Sequence, residues 1–248
     1  MTDHSSAWDE DYRRRGNLWG GAPAPLPDLP ADAAVLEIGC GNGKTLGALV
    51  RRFPCVTAVD ISPRAVALAR RHPTTAAASL AVADARRLPF RDAAFDAIIL
   101  VHILGHLPLP DRKAVASEVF RVLRPEGTAF FRGFSVEDMR AGKGTETEPQ
   151  TFRRGEGIVT HYFTEAETAE LFAPLVPVSV RTHRWRMRVR GRDLPRAEVE
   201  GVFRMRRAEV RCSGGTEHEK PEGFRGPEFE KTRSVFEGRR SGVRPKGA

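Results

Sequence analysis

The stretch that most constrains this chain is Val35-Leu36-Glu37-Ile38-Gly39-Cys40-Gly41-Asn42-Gly43. An apolar strand with one acid near its end opens into three alternating glycines, and a helical segment follows at once. Glycines permit a tight turn and let the backbone approach a ligand. The unpaired N–H groups of the next helix then face that ligand. Three ligand classes use such a loop, and spacing separates them. A phosphate loop needs glycine, four residues, then Gly-Lys-Thr. Gly43-Lys44-Thr45 supplies the end, but the first glycine falls on Ile38. A dinucleotide fingerprint needs G-x-G-x-x-G. Counted from Gly39 the last position is Lys44, and counted from Gly41 it is Leu46. Both spacings fail, which argues against nucleotide hydrolysis and against an NAD(P)-dependent oxidoreductase.

The rest of the chain repeats the strand–helix rhythm. Residues 35–38, 56–60, 80–83, 97–101 and 128–134 read as strands, and 44–52, 63–71 and 111–123 as helices, with Pro63 at a first turn. Strands alternating with helices predict a doubly wound α/β fold with a mostly parallel sheet covered on both faces. Residues 137–163 break the rhythm and read as a lid or insertion. A short helix follows over 164–172, with Thr164 and Glu167 placed as a capping box. Residues 176–190 form a long strand, and 199–205 return as a terminal antiparallel strand, giving seven in all. Beyond 206 glycines and charges dominate, which reads as a disordered basic tail. The domain plan is therefore an N-terminal helical cap over 1–30, a core over 31–205 and a flexible tail over 206–248.

Five motifs occur in order over roughly residues 30–135: the glycine loop, then Val59-Asp60-Ile61-Ser62, Ala83-Asp84-Ala85 followed by Leu88-Pro89-Phe90, Phe95-Asp96-Ala97-Ile98-Ile99, and Leu123-Arg124-Pro125-Glu126-Gly127. On this ordered set the chain resembles the class I (Rossmann-like) S-adenosylmethionine-dependent methyltransferases. Glu126 stands where that family often has glycine. The resemblance implies S-adenosylmethionine as cofactor, bound at the carboxyl ends of the strands. Glu37, Gly39, Cys40, Gly41, Asn42 and Gly43 would form the loop around it, with Glu37 reaching the methionine amine. Asp60, with Ile61 beside it, would accept from the ribose hydroxyls. Asp84 would accept from the adenine amino group, and the Ala85 N–H would meet a ring nitrogen. His102, after the fourth strand, would line the cofactor through its backbone.

The leading segment, with Trp8, Tyr12 and Trp19, resembles that of the methyltransferase-11 and tellurite-resistance-like small-molecule subgroup. Tyr12 and Trp19 would close over the cofactor, where aromatic faces also attract a sulfonium. An amphipathic helix docked on the core explains the same residues. For catalysis the candidates are His106, His161 and Tyr162, as a base or as groups that face the acceptor. Each also fits a structural role: His106 as a hydrogen-bonded loop histidine, His161 and Tyr162 as the entry to the next helix.

The formal net charge is +8, yet only six of the 40 basic residues are lysine, a bias that fits a GC-rich genome as well as a nucleic-acid surface. A small-molecule acceptor is the first expectation. A nucleic-acid methyltransferase, bound through the basic tail or the row Arg184, Arg186, Arg188 and Arg190, is the alternative, and a cofactor-binding pseudoenzyme a further one. Three scattered cysteines form no metal or disulfide pattern, so no metal is expected. There is neither an apolar leader nor a membrane-spanning run, so a cytoplasmic protein is expected. The acceptor, the atom methylated and the oligomeric state are not legible.

Overall fold

The computed structural model describes residues 4–16, 25–154 and 158–207. Its axis is β1 (Ala34–Ile38), in which Val35, Leu36 and Ile38 have no exposed surface. A strand that is apolar on both faces is stable only where both faces are covered. Accordingly β1 lies inside the sheet, parallel to β2 (Cys55–Asp60) on one side and β4 (Phe95–Val101) on the other. β3 (Ser79–Val82) continues beyond β2, and β5 (Leu123–Phe134) beyond β4. With β9 (Val176–Val189) and β10 (Arg192–Arg204) the seven-stranded order is β3-β2-β1-β4-β5-β10-β9. Strand order reverses between β1 and β4, the place where open α/β sheets take their ligands.

The period of two along the strands sends alternate side chains to opposite layers. Leu36, Ile98, Leu100 and Phe131 pack with Val115 and Val119 of α4 (Leu109–Val122). Val35, Ala97, Ile99 and Phe130 pack with Leu46 and Leu49 of α2 (Leu46–Arg52). α3 (Pro63–Arg71) begins where the Ser62 hydroxyl accepts the Ala65 N–H and proline occupies the first turn. α5 (Glu165–Leu171) is capped by Thr164, whose hydroxyl accepts the Glu167 N–H at 3.1 Å. Ahead of the sheet, α1 (His4–Arg15) is tied down by Asp9. Its carboxylate accepts from the Ser62 hydroxyl at 2.9 Å and the Arg64 N–H at 3.0 Å.

The fold class is the expected one, with three refinements. The antiparallel strand comes last in the chain but lies between β5 and β9, one place in from the sheet edge. It also starts seven residues earlier than the hydrophobic pattern suggests, at Arg192 instead of 199. Leu194-Pro195-Arg196 looks unlike a strand, yet β5 pairs with β10 only as far as Glu198, so the missing N–H of Pro195 breaks no ladder bond, while its carbonyl accepts the Met139 N–H at 3.1 Å. Second, the irregular stretch 137–163 contains a small antiparallel sheet of β6 (Thr145–Glu148), β7 (Thr151–Arg153) and β8 (Val159–His161). Third, β5 begins at Leu123 and passes through Glu126 at φ 65°, the left-handed conformation that glycine adopts more readily. Trp19 and the tail from 208 onward lie outside the described residues.

One aromatic cluster binds the α4–α5 layer to the sheet. Phe131 meets Phe163 edge-on at 4.9 Å and Phe172 at 5.8 Å, and Phe172 meets Phe203 at 4.8 Å. Truncating Phe131 to alanine removes the centre of this cluster. It is expected to lower unfolding stability by about 3–5 kcal/mol, read as a shift of the urea midpoint at unchanged slope.

Candidate cofactor and acceptor site

A cavity of about 920 Å³ opens at the carboxyl ends of the central strands. One wall is the loop after β1. Gly39, Gly41 and Gly43 take φ of 77°, 55° and 90°. At Gly39 a Cβ would stand 2.9 Å from the Ile103 Cβ, so only glycine fits there. The Gly39 and Cys40 N–H groups donate to the Val59 carbonyl at 2.8 and 3.1 Å, locking the loop to β2. Asp60 completes the lock: one carboxylate oxygen accepts the Gly41 N–H and the other the Ser62 N–H, both at 2.9 Å. Burial raises the Asp60 carboxyl above its ordinary range, although the N–H groups of Ser62, Gly41 and Ile61 oppose the shift.

Glu37 stands beside it, 2% exposed, and its Oε2 has no partner. Burial first, and the Asp60 charge second, push this carboxyl well above the usual carboxylate range. An unpartnered buried carboxylate costs stability. At a cavity wall it is the natural receptor for a cationic donor brought by a ligand.

The structure brings together at this cavity Tyr12, Glu37, Gly39, Cys40, Gly41 and Asp60. It also brings Ile61, Asp84, Ala85, His102 and His106 to the wall. Asn42 and Gly43 belong to the same loop but are not at the wall. Gly43 instead packs against the turn at Thr75, 3.1 Å from where a Cβ would be. His161 and Tyr162 are elsewhere. His161 is buried between the Thr151 hydroxyl (2.7 Å) and Glu167 (2.8 Å), so both ring nitrogens are engaged. Tyr162 is buried among Phe134 and Phe152, with its hydroxyl 3.3 Å from Arg154. Both hold the insertion in place.

His106 sits in a single turn, Leu104–His106, after β4. Its Nδ1 is 2.9 Å from the Val159 carbonyl of β8, which can only accept, so Nδ1 carries the proton and Nε2 the lone pair. Nε2 is buried and unpartnered. The Trp8 ring of α1 meets the imidazole edge-on at 4.8 Å. Burial, foremost, lowers the His106 pKa to about 4.

The far wall was not legible in the sequence. It is the face of β5, β10 and β9 carrying Arg132, Glu198, Glu200, Arg181 and His183. Arg132 pairs with Glu200 while both are buried, and Glu200 also accepts from Arg181 at 2.9 Å. Glu198 is 3.2 Å from His102 Nε2. Burial alone would raise the Glu198 carboxyl. The His102 hydrogen bond and the charges of Arg132 and Arg196 bring it below the ordinary range. His102 itself is held at φ 62°, with its N–H on the Arg132 carbonyl (2.7 Å) and its ring stacked 4.2 Å from Phe134. The only sequence signal for this wall is the two-residue alternation of Glu198 and Glu200, in a strand whose start is obscured by Pro195. Of the arginine row, Arg184, Arg186 and Arg188 lie on the opposite face of β9, whereas Arg190 falls in the turn after it at φ 49°, and the row is partly satisfied locally. Arg184 pairs with Glu137 (2.6 Å), and Arg188 with Asp193 (3.3 Å). Among the described residues no helix is long and apolar enough to cross a membrane, and no acid, histidine and cysteine cluster is placed to hold a metal.

Residues 35–127 match the family model described as a methyltransferase domain. The chain is 35% identical over 124 residues to the 2-methyl-6-phytyl-1,4-hydroquinone methyltransferase of Synechocystis sp., covering 49% of this chain and 37% of that protein. It is 29% identical over 197 residues to the tRNA N(3)-methylcytidine methyltransferase of Drosophila melanogaster, covering 67% of this chain and 59% of that protein. The chain thus spans less than two thirds of the length of either curated relative. A solved S-adenosylmethionine-dependent methyltransferase of Methanosarcina mazei superposes with a TM-score of 0.58 at 26% identity, covering 72% of this chain and 95% of that one. The sheet order, the glycine loop locked by Asp60 and the matched domain agree: residues 35–127 form a methyltransferase domain, and the chain has the fold of the class I S-adenosylmethionine-dependent methyltransferases.

Proposed function

We propose that this protein moves a methyl group from S-adenosylmethionine to a small-molecule acceptor held in the same cavity. The observation that carries this reading is the pairing of two unlike walls around one cavity. One wall has a glycine cradle and an unpartnered buried Glu37, which suit an adenosyl amino acid. The other is a polar sheet face built from Glu198, Glu200, Arg132 and His102, which suits a second ligand. The volume of about 920 Å³ is at the upper end of about 300–1,000 Å³ for small-molecule sites.

In this reading Glu37 meets the methionine ammonium, and Asp60 accepts from the ribose. Asp84 accepts from the adenine amino group. When bound, the cofactor supplies a methyl group already activated by its sulfonium. The protein's share is orientation and the exclusion of water. α1, tied to Ser62 and Arg64 by Asp9, acts as a cap that brings Trp8 and Tyr12 to the cavity. His106 is fixed as a lone-pair acceptor at Nε2 and, with its pKa lowered to about 4, orients an acceptor by taking a hydrogen bond from its N–H or O–H group. A cytoplasmic setting goes with this reading, supported by free cysteines at positions 40 and 55. The kinship with a tRNA methyltransferase favours RNA as the second acceptor class. Local pairing of Arg184 and Arg188 leaves less of the arginine row for phosphates.

Calorimetric titration of S-adenosylhomocysteine and NADH into wild type and Asp60→Ala tests the cofactor assignment. The adenosyl ligand alone is expected to bind, with affinity reduced at least about tenfold, roughly 1.4 kcal/mol, by the substitution. Binding of NADH instead would contradict it.

The state of His106 has its own test. Its folded pKa of about 4 lies below the ordinary 6.5, so the unfolded chain binds the extra proton first as pH falls. The stability from burying a neutral ring is complete above pH 6.5 and is lost as pH drops toward 4. Between pH 7.5 and 5 this amounts to roughly 2 kcal/mol. His106→Gln is expected to remove about that much of the acid sensitivity in urea unfolding. An identical pH dependence in wild type and variant would show that the imidazole is not buried as described.

A further inference from the structure

Arg86, two residues beyond Asp84, is a cavity residue that the cofactor reading leaves without a task. All three nitrogens of its guanidinium are engaged. Nε lies 3.0 Å from both oxygens of Asp84, and one terminal nitrogen reaches Asp84 Oδ2 at 2.6 Å. The other terminal nitrogen reaches Asp111 Oδ2 at 2.9 Å. The Arg86 N–H adds a bond to Asp84 Oδ1, also at 2.9 Å. Asp111 sits in the first turn of α4, so Arg86 ties the segment after β3 to a helix packed on the core. The strand-end carboxylate is thereby held in one orientation by a fork with fixed geometry.

This matters for what Asp84 recognises. A carboxylate paired with a permanent cation is a pure acceptor. An acceptor at that wall rewards a base edge that presents an N–H group. It penalises one that presents a carbonyl oxygen, because two acceptors then face each other without a proton between them. We propose that Arg86 is a positioning residue for nucleobase selection: it fixes Asp84 as an acceptor at the cavity wall, so that the site takes a base with an exocyclic amino group and rejects its 6-oxo counterpart. The proposal rests on the cofactor reading above and adds a determinant of its specificity. A tether that only stabilised the loop would affect both kinds of base alike.

The test compares S-adenosylhomocysteine with S-inosylhomocysteine, in which the 6-amino group is replaced by oxygen, by calorimetric titration into the full chain. Wild type is expected to prefer the adenosyl ligand by at least about 100-fold. Arg86→Gln should reduce that preference to under about tenfold, mainly through weaker adenosyl binding. Arg86→Lys keeps the charge but not the fork, and the preference should narrow likewise. It also serves if the glutamine variant folds poorly, which far-UV circular dichroism reports. Asp84→Asn, which can donate as well as accept, is the control that should erase the preference. An unchanged preference in both Arg86 variants, or an equal loss of both ligands, would overturn the role of Arg86 while leaving the cofactor assignment intact. Failure of wild type to bind S-adenosylhomocysteine would instead remove the reading on which the proposal rests.

Discussion

The hydrogen bond from the Gly41 N–H to Asp60 Oδ2 is the interaction on which the site depends. It joins the glycine loop after β1 to the end of β2, across a parallel pair of strands in the middle of the sheet. Three positive-φ glycines cost conformational entropy on folding. The Asp60 carboxylate offsets that cost by accepting backbone N–H groups from both sides of the crevice. Beside the pinned loop Glu37 is buried with its Oε2 unpaired, an acid facing the cavity.

The opposite wall follows from topology. Because β10 enters between β5 and β9, alternate residues of all three strands share the face that borders the cavity. An apolar wall would have been the more stable solution, since a buried ion pair rarely outperforms well-packed aliphatic side chains. The Arg132–Glu200 pair and the His102–Glu198 contact sit there nonetheless, beside a histidine in the left-handed backbone region. Charge and strain concentrated at one wall of a cavity are the marks of a site where a ligand is recognised.

Much of this was legible in the sequence because it is local. The strand–glycine–helix unit, the Ser62–Pro63 helix start and the Thr164 cap each depend on a few adjacent residues. The acids Glu37, Asp60 and Asp84 follow from strand ends in the same way. What the sequence concealed is non-local. Glu198 and Glu200 reach the cavity only through the pairing of β10 with β5, 68 residues apart at Arg132 and Glu200. The sheet β6–β8 is made of short polar strands with no clear alternation, and its partners are set by contacts such as Val159 with His106. His161 and Tyr162 read as acceptor-facing residues because polar aromatics beside a lid suggest function. Their polar atoms are instead engaged by Thr151, Glu167 and Arg154.

The central claim we propose is that Glu37, buried with its Oε2 unpartnered at the cavity, receives the cationic amino group of the cofactor. Burial and the neighbouring Asp60 charge raise its carboxyl well above the usual range, and an ammonium group beside it favours the charged form. Calorimetric titration of S-adenosylhomocysteine and of its analogue lacking the amino group, into wild type and Glu37→Gln, tests this directly. Wild type is expected to bind S-adenosylhomocysteine at least about tenfold more tightly than the analogue, and Glu37→Gln to lose most of that preference. Equal affinity of wild type for the two ligands, or the same preference in the variant, would contradict it.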